Sequence, residues 1–165
     1  MEFRIEPKPA FTTVGKSIRV SMKDVDNMSV IPQYWDKCVL DGTLDHLKAQ
    51  MPADAVMGDV TLGICSDFAP DMSEFTYTVG VETQNSGPSG DETAVIAVPE
   101  TDWAVFGAKG PVRESIQAAW TGIFADFFPN EPYGHGSAPD LEVYPPGDPS
   151  QPDYRYEIWV PVVKK

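Results

Sequence analysis

A single carboxylate lies in the middle of the most aromatic strand that the sequence predicts. Residues 154–162 read YRYEIWVPV, and Glu157 is two residues from both Arg155 and Trp159. Side chains alternate between the two faces of a strand, so these three share one face. The other face carries Tyr156, Ile158, Val160 and Val162. A carboxylate shielded from water is costly unless a positive charge compensates it, so Glu157 is a candidate for meeting a cation.

Aromatic side chains near this strand could complete such a site. Trp159 shares a face with Glu157, and Trp103 lies in a second predicted strand. A cation over an aromatic face gains about 0.5–2 kcal/mol, so both tryptophans are candidate walls. Tyr77 and Tyr34 are candidates for a ligand-binding hydroxyl, although alternation puts Tyr77 on the face that we expect the helices to cover.

Glu157 and the two tryptophans also have a purely structural interpretation. Glu157 could be an exposed acid that forms a salt bridge with Arg155 on a wetted sheet face. Trp159 and Trp103 could pack against each other, which is the usual environment of a tryptophan in a strand. The sequence alone leaves both interpretations open.

Other conspicuous residues are assigned to the framework. Trp35 and Trp120 lie on the apolar stripes of the two predicted helices, and we expect both in the core. Cys38 lies on a helical stripe as well and is expected to be a small core residue. Glu142, in the segment LEVY, is expected to have a structural role such as holding a loop.

The sequence predicts no metal site, no cofactor and no catalytic residue. Its two histidines, His46 and His135, lack the spacing of zinc ligands. Asp67 and Asp71 are too few for a calcium loop. The sequence contains no nucleophile elbow, phosphate-binding loop or dinucleotide fingerprint. We therefore expect a protein that is not an enzyme.

Charge and composition indicate which binding partners and which cellular compartment to expect. The 165 residues include 25 acidic side chains and 12 Lys or Arg, which gives a net charge of −13. Such a field repels phosphates, so we expect no direct nucleic-acid binding and a preference for cations. No apolar run reaches the roughly 20 residues of a membrane helix, and no secretory signal is recognisable. Cys38 and Cys65 do not form a disulfide scaffold, so a cytoplasmic protein is expected.

Periodicity predicts short strands and two longer helices. The predicted strands are 11–21, 59–65, 75–82, 102–109, 141–144 and 154–163, with an optional strand at 94–98. The predicted helices are 30–49, which Gly42 could interrupt, and 112–128.

The order of these elements indicates a duplicated unit. A β-α-β-β order occurs twice, and the polar segment 83–93 joins the two copies. This predicts an α+β fold in a single domain, residues 1–165, built from pseudo-repeats at about 1–83 and 94–165 with pseudo-twofold symmetry. We expect an antiparallel sheet with two helices on one face and a ligand cleft, containing Glu157, on the other.

Several segments resemble the GyrI-like small-molecule-binding domains, which include the effector-binding domains of AraC-type and MerR-type multidrug regulators. The resemblance is carried by DWAVFGAKGPV, APDLEVY and YEIWVPV, and more loosely by IPQYW, LGIC and FTYTVGVE. It implies a central cleft that binds bulky, often cationic aromatic compounds, and a Glu on the last strand, matched by Glu157, that meets their charge. The sequence shows no basic helix-turn-helix pattern, so we expect a stand-alone binding module.

Three functions are compatible with this resemblance. The first is reversible binding of cationic aromatic molecules, to sequester or to sense them. The second is hydrolysis of strained electrophiles, with Glu157 as the general base, because some relatives hydrolyse cyclopropane-containing compounds. The third is a protein–protein function, with DNA gyrase or a regulator as the partner, because the family includes gyrase-inhibitor proteins.

Overall fold

The computed structural model describes residues 1–23, 27–84 and 93–165, and it has nine strands within these ranges. Most of the predicted linker 83–93 lies outside the described residues. The strands are β1 Arg4–Lys8, β2 Phe11–Ser21, β3 Thr61–Ser66, β4 Glu74–Thr83, β5 Ala94–Val98, β6 Thr101–Lys109, β7 Tyr133–His135, β8 Asp140–Tyr144 and β9 Arg155–Lys164. The sequence prediction missed two of them, β1 and β7, because each is too short to show a clear alternation.

The helical segments are α1 Asn27–Leu40, α2 Thr43–Lys48, α3 Val112–Gly122 and α4 Phe128–Asn130. The first predicted helix is divided in two at Gly42, which has a φ of 80° that a glycine adopts at little cost. The second predicted helix is not a continuous α-helix, because a π-helical turn at Ile123–Phe127 connects α3 to α4.

All strand pairs are antiparallel, and the sheet order is β1-β6-β9-β8-β3-β4-β2-β5, with β7 paired to the end of β9. The α+β fold with one large antiparallel sheet is therefore confirmed. The central ladder joins β3 to β8, and the triplet β6-β9-β8 on one side mirrors β2-β4-β3 on the other. The exact limits of the two repeats stay a prediction.

The sheet is strongly curved because two short connections join its opposite ends. Two residues separate β1, at one end of the strand order, from β2 near the other end, and two residues separate β5 from β6. Such a connection spans about 11 Å at most, so the two ends of the sheet meet at one corner.

The concave face of this curved sheet holds a packed apolar cluster. Its buried members are Phe11, Leu62, Ile64, Val98, Trp103, Val105, Ala138, Leu141, Val143 and Trp159. This is the face on which the sequence analysis placed a ligand cleft, and here the protein's own side chains fill it. Curvature is the reason, since it brings side chains from distant strands into contact.

The helices cover the convex face, as predicted. Tyr156, Ile158, Val160 and Val162 of β9 are buried there, against partly buried side chains of α1 and α3. A second cluster joins α1 to β3 and β4 through Cys38, Cys65 and Tyr77. Among the described residues, no helix is long and apolar enough to cross a membrane.

Candidate functional site

A second carboxylate, Glu142, is buried between the sheet and the helices. It lies in the middle of β8, opposite Ile158 of β9 on one side and Gly63 of β3 on the other. Only 5% of the residue is exposed. Because side chains alternate along β8, Leu141 and Val143 enter the concave cluster while Glu142 points toward the helices.

Three neutral donors bind this carboxylate. The Tyr77 hydroxyl donates to Glu142 Oε2 at 2.6 Å, and the Tyr144 hydroxyl donates to the same oxygen at 2.9 Å. The indole Nε1 of Trp120, from α3, donates to Oε1 at 2.9 Å. A buried charge is tolerated when its oxygens are bonded in this way.

Helix α1 contributes to the same network one step away. The indole Nε1 of Trp35 donates to the Tyr77 hydroxyl at 2.8 Å. The Trp35 ring also makes an edge contact with Tyr144, with 5.3 Å between the ring centroids. Trp120 of α3 thus donates directly to the acid, whereas Trp35 of α1 donates to the Tyr77 hydroxyl, which in turn donates to the acid.

Gly63 provides the space for this arrangement. It pairs with Glu142 across the central ladder and with Val79 of β4. A Cβ at this position would clash with the Tyr77 hydroxyl and lie 2.6 Å from Glu142 Oε2. Tyr77 can therefore reach the carboxylate only because position 63 has no side chain.

Burial raises the pKa of Glu142, and the hydrogen bonds from Tyr77, Trp120 and Tyr144 oppose that shift. Burial, reinforced by the negative charge of Glu142, also holds the pKa of Tyr77 and Tyr144 well above the usual value. None of the ion pairs found within residues 1–23, 27–84 and 93–165 includes Glu142. The site thus has a buried acid, donors that are neutral, and aromatic walls.

Glu157, the predicted charge partner, lies on the concave side of β9 near its rim. Its side chain is 31% exposed, and its Oε1 accepts a hydrogen bond from the Arg4 guanidinium at 2.9 Å. Its Oε2 accepts one from the Trp159 indole at 2.8 Å. The cation that the sequence analysis sought in a ligand, or in Arg155, is supplied here by β1.

Trp159 and Trp103 contact each other edge to face in the concave cluster, with centroids 6.0 Å apart. Arg4 and Lys8 lie over the Trp159 ring, 5.8 and 5.6 Å from its centroid. The ligand-binding roles of Glu157, Trp159 and Trp103 stay predictions, and the contacts described here give all three a framework role as well.

Of the predicted tyrosines, Tyr77 lies in the Glu142 network and Tyr34 packs beside it. Tyr34 is partly buried against the cluster that contains Tyr77 and Cys38. The helix-facing position of Tyr77, which conflicted with a site on the other face, agrees with a site at Glu142. In the part of the chain that the structure describes, no group of three His, Cys, Asp or Glu side chains could hold a metal.

A comparison with protein families accounts for this architecture. The family model of the GyrI-like small molecule binding domain matches residues 1–163. The chain belongs to this family. A search of the curated proteins found no significant match.

Solved structures share the GyrI-like fold along the whole chain. SAV2435 bound to tetraphenylphosphonium has a TM-score of 0.82 and 24% identity, covering 99% of this chain and 94% of that one. A Staphylococcus aureus MU50 protein whose name refers to transcription regulation has a TM-score of 0.79 and 23% identity, covering 98% of both chains. A hydrolase encoded by lin2189 from Listeria innocua is more distant, with a TM-score of 0.51 and 12% identity, covering 98% and 92%. At these identities the likeness concerns the fold.

Glu142 of this GyrI-like chain was predicted from the sequence to have only a structural role. A signal was available: in LEVY, alternation puts Glu142 and Tyr144 on one face, opposite Leu141 and Val143. What the sequence did not show is that β8 lies beside β9 and β3. That neighbourhood turns the Glu142 face toward the helices, where an acid is costly and therefore informative.

Proposed function

We propose that this protein reversibly binds bulky aromatic cations, and that Glu142 is the group that selects their charge. One observation carries the proposal: a buried carboxylate that has three neutral donors and no cationic partner among the described residues. A ligand cation that approaches this acid supplies the missing charge in a setting of low dielectric. Trp35, Trp120 and Tyr144 offer aromatic surface for the rest of the ligand.

The fold comparison supports the ligand class. SAV2435, which shares this fold, was solved with tetraphenylphosphonium, a cation that carries four phenyl rings. The net charge of −13 favours cations as well, and it disfavours direct binding of nucleic acid.

Binding without turnover is part of the proposal. Both oxygens of Glu142 already accept hydrogen bonds, so the carboxylate is arranged to stabilise a charge rather than to take a proton from water. The hydrolase hypothesis predicts instead that a cyclopropane-bearing electrophile is consumed, and that Glu157→Ala abolishes its consumption. The idea that DNA gyrase or a regulator is a partner stays a prediction, and neither the fold nor the comparisons support gyrase.

The test uses two ions of nearly the same shape and opposite charge, tetraphenylphosphonium and tetraphenylborate. We expect the protein to bind the phosphonium and to reject the borate in calorimetric titrations. Glu142→Gln removes the negative charge, so it should weaken phosphonium binding at least about tenfold. A tenfold loss corresponds to about 1.4 kcal/mol of binding free energy.

Glu157→Gln is the matched control, since it makes the same change at the other conspicuous acid. We expect it to alter phosphonium affinity less than about twofold, because Arg4 already neutralises Glu157. A loss in Glu157→Gln that equals or exceeds the loss in Glu142→Gln would transfer the site to the concave face. Equal binding of both ions would refute charge selection altogether.

A further inference from the structure

One large aromatic ring lies open on the surface next to the Glu142 network. Phe124 is 49% exposed and belongs to the π-helical turn between α3 and α4. Exposed apolar rings cost solvation free energy, and when they cluster they commonly mark a binding surface. Turns of π-helix are also frequent at functional sites.

Phe124 is part of a continuous set of four rings, which we call the aromatic shelf: Trp120, Phe124, Phe128 and His135. Phe124 stacks on Trp120, with 6.1 Å between centroids and 19° between ring planes. It also contacts Phe128 at 5.6 Å and His135 at 6.0 Å. Phe128 and His135 also contact each other, with 5.5 Å between their centroids. His135 is held in place by a 2.6 Å hydrogen bond between its Nε2 and Asp140 Oδ1.

Trp120 connects the aromatic shelf to the acid. Its indole N–H is the one donor to Glu142 Oε1 found in the described part of the chain, whereas Tyr77 and Tyr144 both bind Oε2. These tyrosines are buried in strands of the sheet, but Trp120 comes from α3, a helix whose residues are at most partly buried. Trp120 is therefore the donor that a ligand displaces at the lowest cost.

Phe124 is stacked on Trp120, so its ring lies one ring beyond the N–H whose place a cation would take at Oε1. We propose that the aromatic shelf is a second subsite, on which one ring of a multi-ring aromatic cation stacks while its charge meets Glu142. This inference rests on the proposed function and refines it. It assigns Phe124 as a residue that favours cations with several aromatic rings over alkyl cations of equal charge.

The experiment compares tetraphenylphosphonium with tetrabutylphosphonium, which has the same charge centre and no rings. In Phe124→Leu we expect the affinity for the phenyl cation to fall about threefold to tenfold, the range of one lost aromatic contact. The affinity for the butyl cation should change less than about twofold. Phe124 is exposed, so the variant should retain the melting temperature of the unmodified protein.

Phe68→Leu is the matched control, because Phe68 belongs to another stacked pair, with Phe75, at 5.3 Å and 19°. It packs on the cluster that contains Tyr77 rather than on the aromatic shelf, so its replacement should leave the ratio of the two affinities unchanged. The subsite is refuted if Phe124→Leu binds the phenyl cation as tightly as the unmodified protein, or if it loses equal affinity for both cations.

The same titrations separate this inference from the function on which it rests. If tetraphenylphosphonium binding depends on Glu142 but not on Phe124, the aromatic shelf alone is refuted. If the unmodified protein binds neither phosphonium, or if Glu142→Gln has no effect, the proposed function and the aromatic shelf are refuted together.

Discussion

At the scale of single residues, Glu157 and Glu142 lie in opposite electrostatic environments. Glu157 remains partly exposed and forms an ion pair with Arg4, so its charge is neutralised within the chain. Glu142 is buried and receives hydrogen bonds from neutral groups only, so its charge is solvated but not compensated. An exposed ion pair contributes about 0–1 kcal/mol to stability, whereas an uncompensated buried acid is a strong attractor for a cation.

Replacing Gly63 tests whether the space beside Glu142 is essential. Gly63→Ala should disrupt the hydrogen bond between Tyr77 and Glu142, since the added Cβ collides with the Tyr77 hydroxyl. We expect a loss of about 1–3 kcal/mol in the free energy of unfolding, measured by denaturant titration, together with weaker phosphonium binding. Gly107→Ala is the control, because a Cβ there meets nothing within 4 Å. Equal effects of the two substitutions would contradict this assignment.

The protonation state of Glu142 should make cation binding depend on pH. Burial raises its pKa, so the ligand-free protein keeps a proton on Glu142 at pH values where an exposed glutamate has lost it. In that interval a cation must displace the proton, and we expect the affinity for tetraphenylphosphonium to rise by up to about tenfold per pH unit. Above the raised pKa the affinity should level off.

Stability should change in the opposite direction over the same interval. The unfolded chain loses this proton at a lower pH than the folded protein, so the contribution of Glu142 to the free energy of unfolding falls as the pH rises. Glu142→Gln should lack both effects, while titration of His135 and Asp140 remains in both proteins. A pH profile of affinity that is identical in the variant would assign the proton to another group.

At the scale of elements, each side of the site depends on a different kind of packing. The strands β3, β4 and β8 hold Gly63, Tyr77 and Glu142 in a fully paired sheet. The helix α3 supplies Trp120, and its residues are at most partly buried. The rigid half of the site is therefore the sheet, and the adaptable half is the helix.

Hydrogen exchange should reveal this difference between elements. We expect the amides of α3 to exchange at least about tenfold faster than those of β4, because local opening of a weakly buried helix costs less than opening of a central strand. Native-state exchange followed by mass spectrometry makes this measurement. Equal protection in α3 and β4 would show that the helix is as firmly held as the sheet.

At the scale of the whole molecule, the curvature of the sheet determines where the site lies, and the net charge determines the electric field around it. The two-residue connections bring the ends of the sheet together, so the concave face becomes core and the helix-covered face is left for Glu142. The net charge of −13 surrounds the site with a negative field. That field attracts cations over a distance but does not by itself distinguish one cation from another.

Salt should therefore change the association rate constant of a cation more than its dissociation rate constant. Between 20 mM and 500 mM NaCl we expect the association rate constant of tetraphenylphosphonium to fall about threefold or more, with a smaller change in the dissociation rate. Stopped-flow mixing gives both rates. Triphenylphosphine oxide, a neutral molecule with similar rings, serves as the control and should associate at a rate that salt does not change. A phosphonium association rate that is independent of salt would contradict this role of the field.

Local sequence patterns were sufficient to predict most of the strands and helices and the broad class of ligand. Alternation and helical spacing located β2, β4, β6, β8 and β9 and both long helices, because these features depend on residues near one another in the chain. The faces of β9 were also predictable, since alternation holds in any strand. The net charge and the family segments are properties of the sequence itself, and they indicate a binder of small molecules before any coordinates are known.

Only the tertiary structure decided which acid lies in the candidate site. Neighbouring strands in the sheet are far apart in sequence: β1 lies beside β6 and brings Arg4 to Glu157, while β3 lies beside β8 and brings Gly63 to Glu142. Alternation assigns a side chain to a face, but strand order determines what that face meets. The environment that separates a compensated carboxylate from an uncompensated one is therefore created by contacts between distant segments, which arise when the chain folds.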